Sequence, residues 1–261
     1  MRQEEVPVTY PPRAAASLAA AILILQACDT RTPTAPDSAT SGVDAPVALD
    51  NRGFRPPFDA SNFVAQITNP YLPGIPGTAF HYRSETPEGV EINVVKYTRQ
   101  TKQILGVTVT VIRDQVFLDG ELTEDTFDWE AQDKEGNVWY FGEDTKQLEN
   151  GQVVGTEGSW EAGVNGAKAG IIMLAHPKTG LTYIQEDAPD VAEDRGKALG
   201  LKAKVDVPYG SFAHCLQTLE WSLLELGVRE HKFYCPGVGF VEEVSPKGGH
   251  VTNELVAITH F

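Results

Sequence analysis

The residues of this chain best suited to acid/base chemistry lie in one stretch, which reads DTFDWEAQDKEGNVWYFGED. Asp128 and Glu130 alternate with apolar residues, and Tyr140 and Asp144 follow at matching parity after a turn. Carboxyls that share one face of a hairpin can bind a cation or exchange a proton. The alternative is an ordinary solvated sheet face in an acidic protein.

His176, in LAHPKTG, is the histidine that best suits proton transfer. Under an enzyme hypothesis, Asp128, Asp144 and His176 are the predicted catalytic residues of a hydrolase or lyase that acts on carbohydrate or another envelope substrate. A hydrogen-bonded structural histidine is the alternative. The chain contains no zinc-protease, nucleophile-elbow, phosphate-loop or dinucleotide signature. We therefore predict no metal and no cofactor, with a divalent cation at the acidic face left open.

The segment from Gly163 to Pro177 begins with small residues and continues into an apolar run. We expect a long loop that forms the wall of a ligand pocket, because loops on a rigid sheet often carry function. Trp160 offers an aromatic platform for a sugar or an apolar ligand, with core packing as the alternative. The predicted ligand-binding residues are Glu130, Tyr140, Trp160 and Met173.

The run from Glu186 to Asp194 contains five acids in nine residues. We interpret it as a solvated loop that leads into a short helix ending at Ala198, with a surface cation site as the alternative. A second short helix is expected between Phe58 and Leu72, with Asp59 or Ser61 as its N-cap.

Two hairpins position the acidic residues. A three-residue loop at Lys134-Glu135-Gly136 places Trp129 opposite Phe141 and Ala131 opposite Trp139, so that the aromatic residues share one face. The other face then carries these residues: Asp128, Glu130, Tyr140 and Asp144, with Gly142 opposite Asp128. Asn150-Gly151 predicts the turn of the following hairpin.

About a dozen strand-like segments joined by short turns predict an all-β protein with minor α content. We expect a single antiparallel curved sheet, either a barrel or a half-barrel, because such a sheet must hide its edges. Cys215 and Cys235 lie in adjacent strand-like runs, SFAHCLQTLEW and EHKFYCPGVGFVEE. An exported protein would join them in a disulfide, and two reduced core cysteines are the alternative.

The N-terminal residues predict export. Ala14 to Leu25 form an apolar run broken only by Ser17, and Leu25-Gln26-Ala27-Cys28 resembles a lipoprotein cleavage box. We predict a signal peptide over residues 1–28, lipidation at Cys28, a disordered tether over 29–54 and one β domain over 55–261. The protein would lie on the outer face of the cytoplasmic membrane or in the periplasm. Simple secretion and a cytoplasmic protein with a buried N-terminus are the alternatives.

The net charge of the chain limits the classes of partner that it can bind. The chain has 21 basic and 36 acidic residues, for a net charge of −15. Nucleic acids and anionic lipid headgroups are bound through Lys and Arg, so an acidic chain repels both. We predict a monomeric domain with a small-molecule or lipid-like ligand, no nucleic-acid partner, and membrane contact through a lipid anchor alone.

Two strings, DWEAQDKEGNVWYFGEDT and GSWEAGVNGAKAGIIML, carry a family resemblance, together with NPYLPGIPGTAFHY upstream and FYCPGVGFVEE downstream. Over roughly residues 60–261 the chain resembles a group of exported bacterial proteins, many of them lipoproteins. The resemblance implies export and brings no activity, cofactor or catalytic residue.

Three functions are consistent with these observations. The first is a membrane-tethered extracytoplasmic protein that binds a small or apolar ligand in or on a curved sheet. The second is the acid/base hydrolase or lyase described above. The third is a structural envelope lipoprotein whose outer surface binds a partner.

Overall fold

The structure is a computed structural model that describes residues 53–246 and 250–261. The predicted signal peptide, Cys28 and most of the predicted tether lie outside the described residues. Phe54 already belongs to the folded domain, since its backbone N–H donates to the carbonyl of Thr182 at 2.8 Å and its carbonyl accepts from the N–H of Ile184 at 3.2 Å.

The described residues form fifteen strands: β1 (Phe63–Val64), β2 (Thr78–Thr86), β3 (Gly89–Ile104), β4 (Val107–Leu118), β5 (Glu121–Asp133), β6 (Val138–Glu149), β7 (Gln152–Gly155), β8 (Trp160–Glu161), β9 (Gly170–Met173), β10 (Thr182–Ile184), β11 (Asp194–Val207), β12 (Gly210–Ser222), β13 (Arg229–Cys235), β14 (Gly239–Ser245) and β15 (His250–His260). All belong to one antiparallel sheet, in the order β10-β11-β12-β13-β14-β15-β2-β3-β4-β5-β6-β7. The prediction of an all-β fold with one curved antiparallel sheet is confirmed.

The sheet is not closed into a barrel. Its path ends at β7 and β10, while β8 and β9 pair with β6, and β1 pairs with β5. β9 nevertheless approaches the chain that follows β10: a Cβ on Gly170 would collide with the carbonyl oxygen of Gln185. The backbone N–H of Lys168 also donates to the carbonyl of Asp187 at 2.9 Å. We call this approach of residues 168–170 to residues 185–187 the seam.

The predictions of two short helices are wrong. Between Phe58 and Leu72 the chain makes only a 3-10 turn, Ala60–Asn62, where the Asp59 carboxylate accepts from the N–H of Ser61 at 2.8 Å. No helix follows the acidic run, because β11 begins at Asp194. The long loop expected from Gly163 to Pro177 is interrupted by β9, whose apolar residues pair with β6.

Both predicted hairpin turns are confirmed. Asp133 closes the first through its N–H, which donates to the carbonyl of Asn137 at 2.9 Å, and Gly136 adopts a φ of 98°. Such a left-handed residue suits glycine. Ala131 pairs with Trp139, as the three-residue loop requires. Glu149 pairs with Gln152 across Asn150-Gly151, the second turn.

A β-bulge changes the register farther along this hairpin. Asp128 pairs with Glu143, and Glu130 pairs with Tyr140. One residue of β5 therefore stands against two of β6, the second of which is Gly142, with a φ of 116°. The expectation that Asp128 faces Gly142 and shares a face with Asp144 is wrong: the extra residue turns Glu143 to the Asp128 side and Asp144 to the other.

Apolar side chains lie on both faces of the sheet. On the outer face, Phe58 and Phe63 cover Trp139, with ring centroids 6.1 Å and 5.7 Å from it. Trp129 lies two residues before Ala131 on β5, and Ala131 pairs with Trp139, so the predicted sharing of one face by the aromatic residues is confirmed. The inner face has its own apolar cluster, in which Cys215 and Cys235 are buried and form a disulfide between β12 and β13.

The bulge predicts a large cost for Gly142→Ala. A Cβ there would collide with the carbonyl oxygen of Trp160, and the backbone conformation is unfavourable for alanine. We expect the free energy of unfolding in urea, followed by tryptophan fluorescence, to fall by about 3 kcal/mol. Gly151→Ala is the control, because Gly151 has a φ of 73° with open space around it; it should cost about 1 kcal/mol. Equal losses would contradict the proposed role of the collision.

Candidate functional site

The structure separates the three predicted catalytic residues. Asp128 is fully buried inside the curved sheet. Asp144 lies on the outer side, where its carboxylate accepts from the Lys146 ammonium at 2.9 Å and its side chain is 50% exposed. His176 is exposed on the loop after β9. The structure does not bring these three residues together as one acid/base site.

Asp128 instead forms a buried triad with Tyr140 and Glu143. The Tyr140 hydroxyl lies 2.7 Å from Asp128 Oδ1 and 2.7 Å from Glu143 Oε2. A hydroxyl has one proton and cannot donate to two carboxylates. One of the two carboxyls must therefore be protonated and donate to the tyrosine oxygen. Burial, followed by the charges of Glu143 and Asp114, raises the pKa of Asp128 well above its usual range, which favours that protonation.

The triad belongs to a larger group of buried acids, which we call the acidic interior: Glu91, Asp114, Asp128, Glu130, Glu143, Glu186, Glu220, Glu230 and Glu243. Burial is the largest cause that raises the pKa of Asp114 to about 7, and the nearby Asn93 amide, which donates to this carboxyl, opposes it. Burial likewise raises the pKa of Glu130 to about 8, although the Tyr97 hydroxyl lowers it. These groups hold protons at pH values where ordinary carboxyls are charged.

One lysine neutralises part of the acidic interior. Lys232 Nζ lies 3.4 Å from Glu220 Oε2, 3.4 Å from Glu230 Oε2 and 3.9 Å from Glu243 Oε2, and its side chain is 3% exposed. Burial alone would lower the pKa of Lys232, but the three glutamates raise it above its ordinary value. Burial still raises the pKa of Glu230 to about 8, even though Lys232 lowers it.

The acidic interior extends across the seam. Glu186, which the sequence placed in a solvated loop, is 3% exposed. Burial raises its pKa well above the usual range, as do the charges of Asp194, Glu143 and Asp128. Its neighbour Asp187 lies at the seam, where its carboxylate contacts Arg55. Glu186 and Asp187 are adjacent in sequence but lie in different environments: Glu186 is buried in the acidic interior, and Asp187 forms an ion pair with Arg55.

The acidic interior can store protons but is closed to substrates in this structure. Its central carboxyl, Asp128, has no exposed surface. Among the residues that the structure describes, no group of three or more His, Cys, Asp or Glu side chains is arranged to hold a metal ion. The described geometry supports a structural, proton-binding role for these residues.

A ligand-sized space lies on the outer face instead. It is a groove of about 520 Å³ lined by ten residues: Arg55, Pro56, Pro57, Phe58, Leu105, Trp139, Gly163, Ala167, Lys168 and Ala169. We call it the outer groove. The N-terminal segment, the β3–β4 turn, β6 and the segment before β9 each contribute to its lining. The predicted pocket wall therefore does line a cavity, through Gly163, Ala167, Lys168 and Ala169.

Backbone geometry explains two of the groove residues. Leu105 occupies the first position of the two-residue turn between β3 and β4, with an unusual left-handed φ of 50°. A Cβ on Gly163, whose φ is 91°, would collide with the Leu105 side chain. Glycine at 163 therefore lets the turn and the loop approach each other and form one wall.

The charged lining residues are both cations. Arg55 Nη1 donates to Asp187 Oδ2 at 2.6 Å and to the Ala169 carbonyl at 3.4 Å. Lys168 Nζ lies 3.8 Å from the same Asp187 oxygen. Two positive charges against one carboxylate leave the rim of the outer groove positive, in a protein whose net charge is −15.

The predicted ligand-binding residues lie elsewhere. Glu130, Tyr140, Trp160 and Met173 are all buried, and none lines the outer groove. Trp160 packs edge-on against Tyr140, with ring centroids 5.6 Å apart. Sequence reasoning missed Arg55, Phe58, Leu105 and Lys168. The sequence around these residues indicates only local structure. The turn at Leu105-Gly106 and the RPPF string each suggest a fixed, exposed backbone, but neither indicates a shared groove.

A smaller pocket of about 290 Å³ lies beside Trp221 and Leu226, at the turn between β12 and β13. Leu226 is 89% exposed there. The whole lining comes from one hairpin. The outer groove is larger and joins four separate segments, so it is the better candidate for a ligand site.

Comparison with known proteins gives no further assignment: no family model, curated protein or solved structure matches the chain. The resemblance to exported lipoproteins therefore stays a prediction. No helix in the described part of the chain has the length and apolar character needed to cross a bilayer.

The acidic interior predicts that stability falls as pH rises. Burial raises the folded-state pKa of several of its acids, among them Asp114, Asp128 and Glu130, so the folded chain binds more protons than the unfolded chain above about pH 4. This stabilisation is lost as pH rises through the folded-state pKa values, which burial raises to about 7 for Asp114 and to about 8 for Glu130 and Glu230. We expect the free energy of unfolding in urea to decrease by at least about 2 kcal/mol from pH 5 to pH 9.

Asp128→Asn tests the origin of this effect. An asparagine amide can donate to the Tyr140 oxygen without a bound proton, while Tyr140 donates to Glu143. We expect the decrease between pH 5 and pH 9 to become smaller. Asp144→Asn, on the outer side of the same hairpin, should leave it unchanged. A wild-type protein that gains stability toward pH 9 would contradict the proposal.

Proposed function

We propose that this protein is an extracytoplasmic binding protein, tethered by a lipid on Cys28, that holds a small and largely apolar ligand in the outer groove. The tether is proposed from the cleavage-box pattern at Leu25-Gln26-Ala27-Cys28 and from the family resemblance. The binding site is proposed from the geometry of the groove.

The observation that carries the proposal is the convergence of exposed apolar side chains on one concave surface. Phe58 is 41% exposed and Leu105 is 46% exposed, and both line the outer groove. Trp139 lies beneath Phe58 and is only 2% exposed, so Phe58 and Leu105 supply most of the apolar surface. Grouped apolar surface left in water marks a site of interaction more often than isolated exposed residues do.

The size and order of the groove also suit a small ligand. Its volume of about 520 Å³ falls within the range of roughly 300–1,000 Å³ that is typical of small-molecule sites. Backbone hydrogen bonds hold its walls: the N–H of Gly163 donates to the carbonyl of Ala167 at 2.8 Å, and Lys168 is tied to Asp187. A preformed groove loses little entropy on binding.

The alternatives have less support. The hydrolase or lyase hypothesis needs Asp128, Asp144 and His176 together, whereas Asp128 is buried and the other two lie at exposed positions. The structural lipoprotein hypothesis requires an exposed apolar patch on the outer surface that binds a partner protein. The apolar surface in question is concave, which suits a small molecule better than a protein face.

Leu105→Asn tests the groove. Asparagine tolerates the left-handed backbone at this position, so the fold should persist, while an apolar wall is removed. We expect the affinity for the neutral fluorophore N-phenyl-1-naphthylamine, measured by fluorescence titration, to fall about fivefold, which corresponds to roughly 1 kcal/mol of lost apolar contact.

The matched control is Leu224→Asn. Leu224 is 44% exposed, against 46% for Leu105, and does not line the outer groove. Its replacement should leave the affinity unchanged. If both variants bind the fluorophore as tightly as the wild type, the outer groove is not the binding site.

Cys28→Ser tests the tether. Expression of the full chain in a bacterium that processes lipoproteins should yield a protein that partitions into Triton X-114, because diacylglycerol attached to Cys28 adds a large apolar group. Cys28→Ser should move the protein into the aqueous phase, and mass spectrometry should lose the lipid mass. A wild-type protein found only in the aqueous phase, with an unmodified Cys28, would argue for simple secretion.

A further inference from the structure

The rim of the outer groove points to a more specific ligand class. We propose that the groove selects a single-chain amphiphile with a free carboxylate, such as a fatty acid, and that Arg55 and Lys168 bind its head while Phe58 and Leu105 contact its chain. This inference rests on the proposed binding function of the groove.

The rim is complementary in charge to an anion. Arg55 and Lys168 are the charged members of the groove lining, and both are positive, although acids outnumber bases in the protein by 36 to 21. A random surface of such a chain would be negative. A neutral ligand would gain nothing from two cations at the rim, whereas a carboxylate would form charge-assisted hydrogen bonds with them.

Arg55 is positioned to donate hydrogen bonds to a ligand. Its Nη1 contacts Asp187 and the Ala169 carbonyl, at 2.6 Å and 3.4 Å. A guanidinium has five N–H donors in a planar fork, so these two acceptors do not exhaust it. The ion pair with Asp187 holds the guanidinium in place. The side chains of Arg55 and Asp187 are still 21% and 24% exposed, so a ligand can reach the guanidinium.

Asp187 acts as an internal anion beside both cations. One Oδ2 atom contacts both cations, at 2.6 Å from Arg55 Nη1 and 3.8 Å from Lys168 Nζ. Asp187 orders the two side chains, and it also offsets part of the positive charge that attracts the ligand. The structure thus makes an unusual prediction: removal of this acid should strengthen the binding of an anion.

The free carboxylate is favoured over a phospholipid headgroup. A groove of about 520 Å³ suits one small molecule, and two acyl chains would exceed it. An anionic bilayer would in addition meet the net charge of −15 on the whole chain. A single dissolved amphiphile meets only the local positive rim.

The experiment compares three probes of equal chain length by isothermal titration calorimetry below their micelle concentrations: dodecanoate, 1-dodecanol and dodecylammonium. We expect dodecanoate to bind the full-length protein at least about fivefold more tightly than dodecanol, and dodecylammonium to bind most weakly. Equal binding of dodecanoate and dodecanol would overturn the carboxylate assignment and leave the proposed binding function standing. Failure of all three to bind would refute both.

Three variants locate the effect. Arg55→Gln and Lys168→Gln should each weaken dodecanoate about threefold to tenfold and leave dodecanol unchanged, which shows that the groove persists. Asp187→Asn should tighten dodecanoate by a similar factor, a gain that damage to the fold would not produce. Weaker dodecanoate binding by Asp187→Asn, or equal losses for dodecanol in Arg55→Gln, would overturn the assignment. Co-sedimentation with phosphatidylglycerol vesicles in preference to dodecanoate binding would assign the rim to a lipid surface instead.

Discussion

The bulge at Gly142 is the constraint on which the arrangement of the central hairpin depends. Without it, Asp144 would join Asp128 inside the curved sheet and Glu143 would face outward. The extra residue instead moves Glu143 to within hydrogen-bonding distance of Tyr140 and brings the β6 backbone against Trp160. The bulge therefore adds Glu143 to the acidic interior and leaves Asp144 on the outer side.

The two faces solve the problem of burial in opposite ways. The outer face excludes water with aromatic and aliphatic side chains, the arrangement expected of an ordinary core. The inner face buries acids, which is tolerable because protonation removes most of their charge and Lys232 offsets part of the rest. The fold consequently relies on protons as bound components of its interior. An apolar interior would lack that dependence on the surrounding pH.

Sequence reasoning recovered the fold class because alternation and turn glycines are local signals. Gly136 and Gly151 lie in the expected turns, and Trp139 pairs with Ala131. The bulge was not predicted because Gly142 is required by its close approach to the carbonyl of Trp160, a contact between residues distant in sequence. The burial of Glu186 and Asp128 escaped because acids in a sequence are read as solvent-facing. The outer groove was not predicted because four separate segments form it, and the sequence of no single segment indicates a groove.

The free end of the sheet has its own consequence. β7 is only four residues long and pairs with β6 alone among the described strands, while Val153 and Val154 are 55% and 56% exposed. A strand edge with unpaired backbone groups is a template for intermolecular pairing. Its brevity limits that hazard without removing it. Concentrated solutions should therefore associate through this hairpin first, and a lysine at position 153 is the simplest route to monodisperse material for crystallisation.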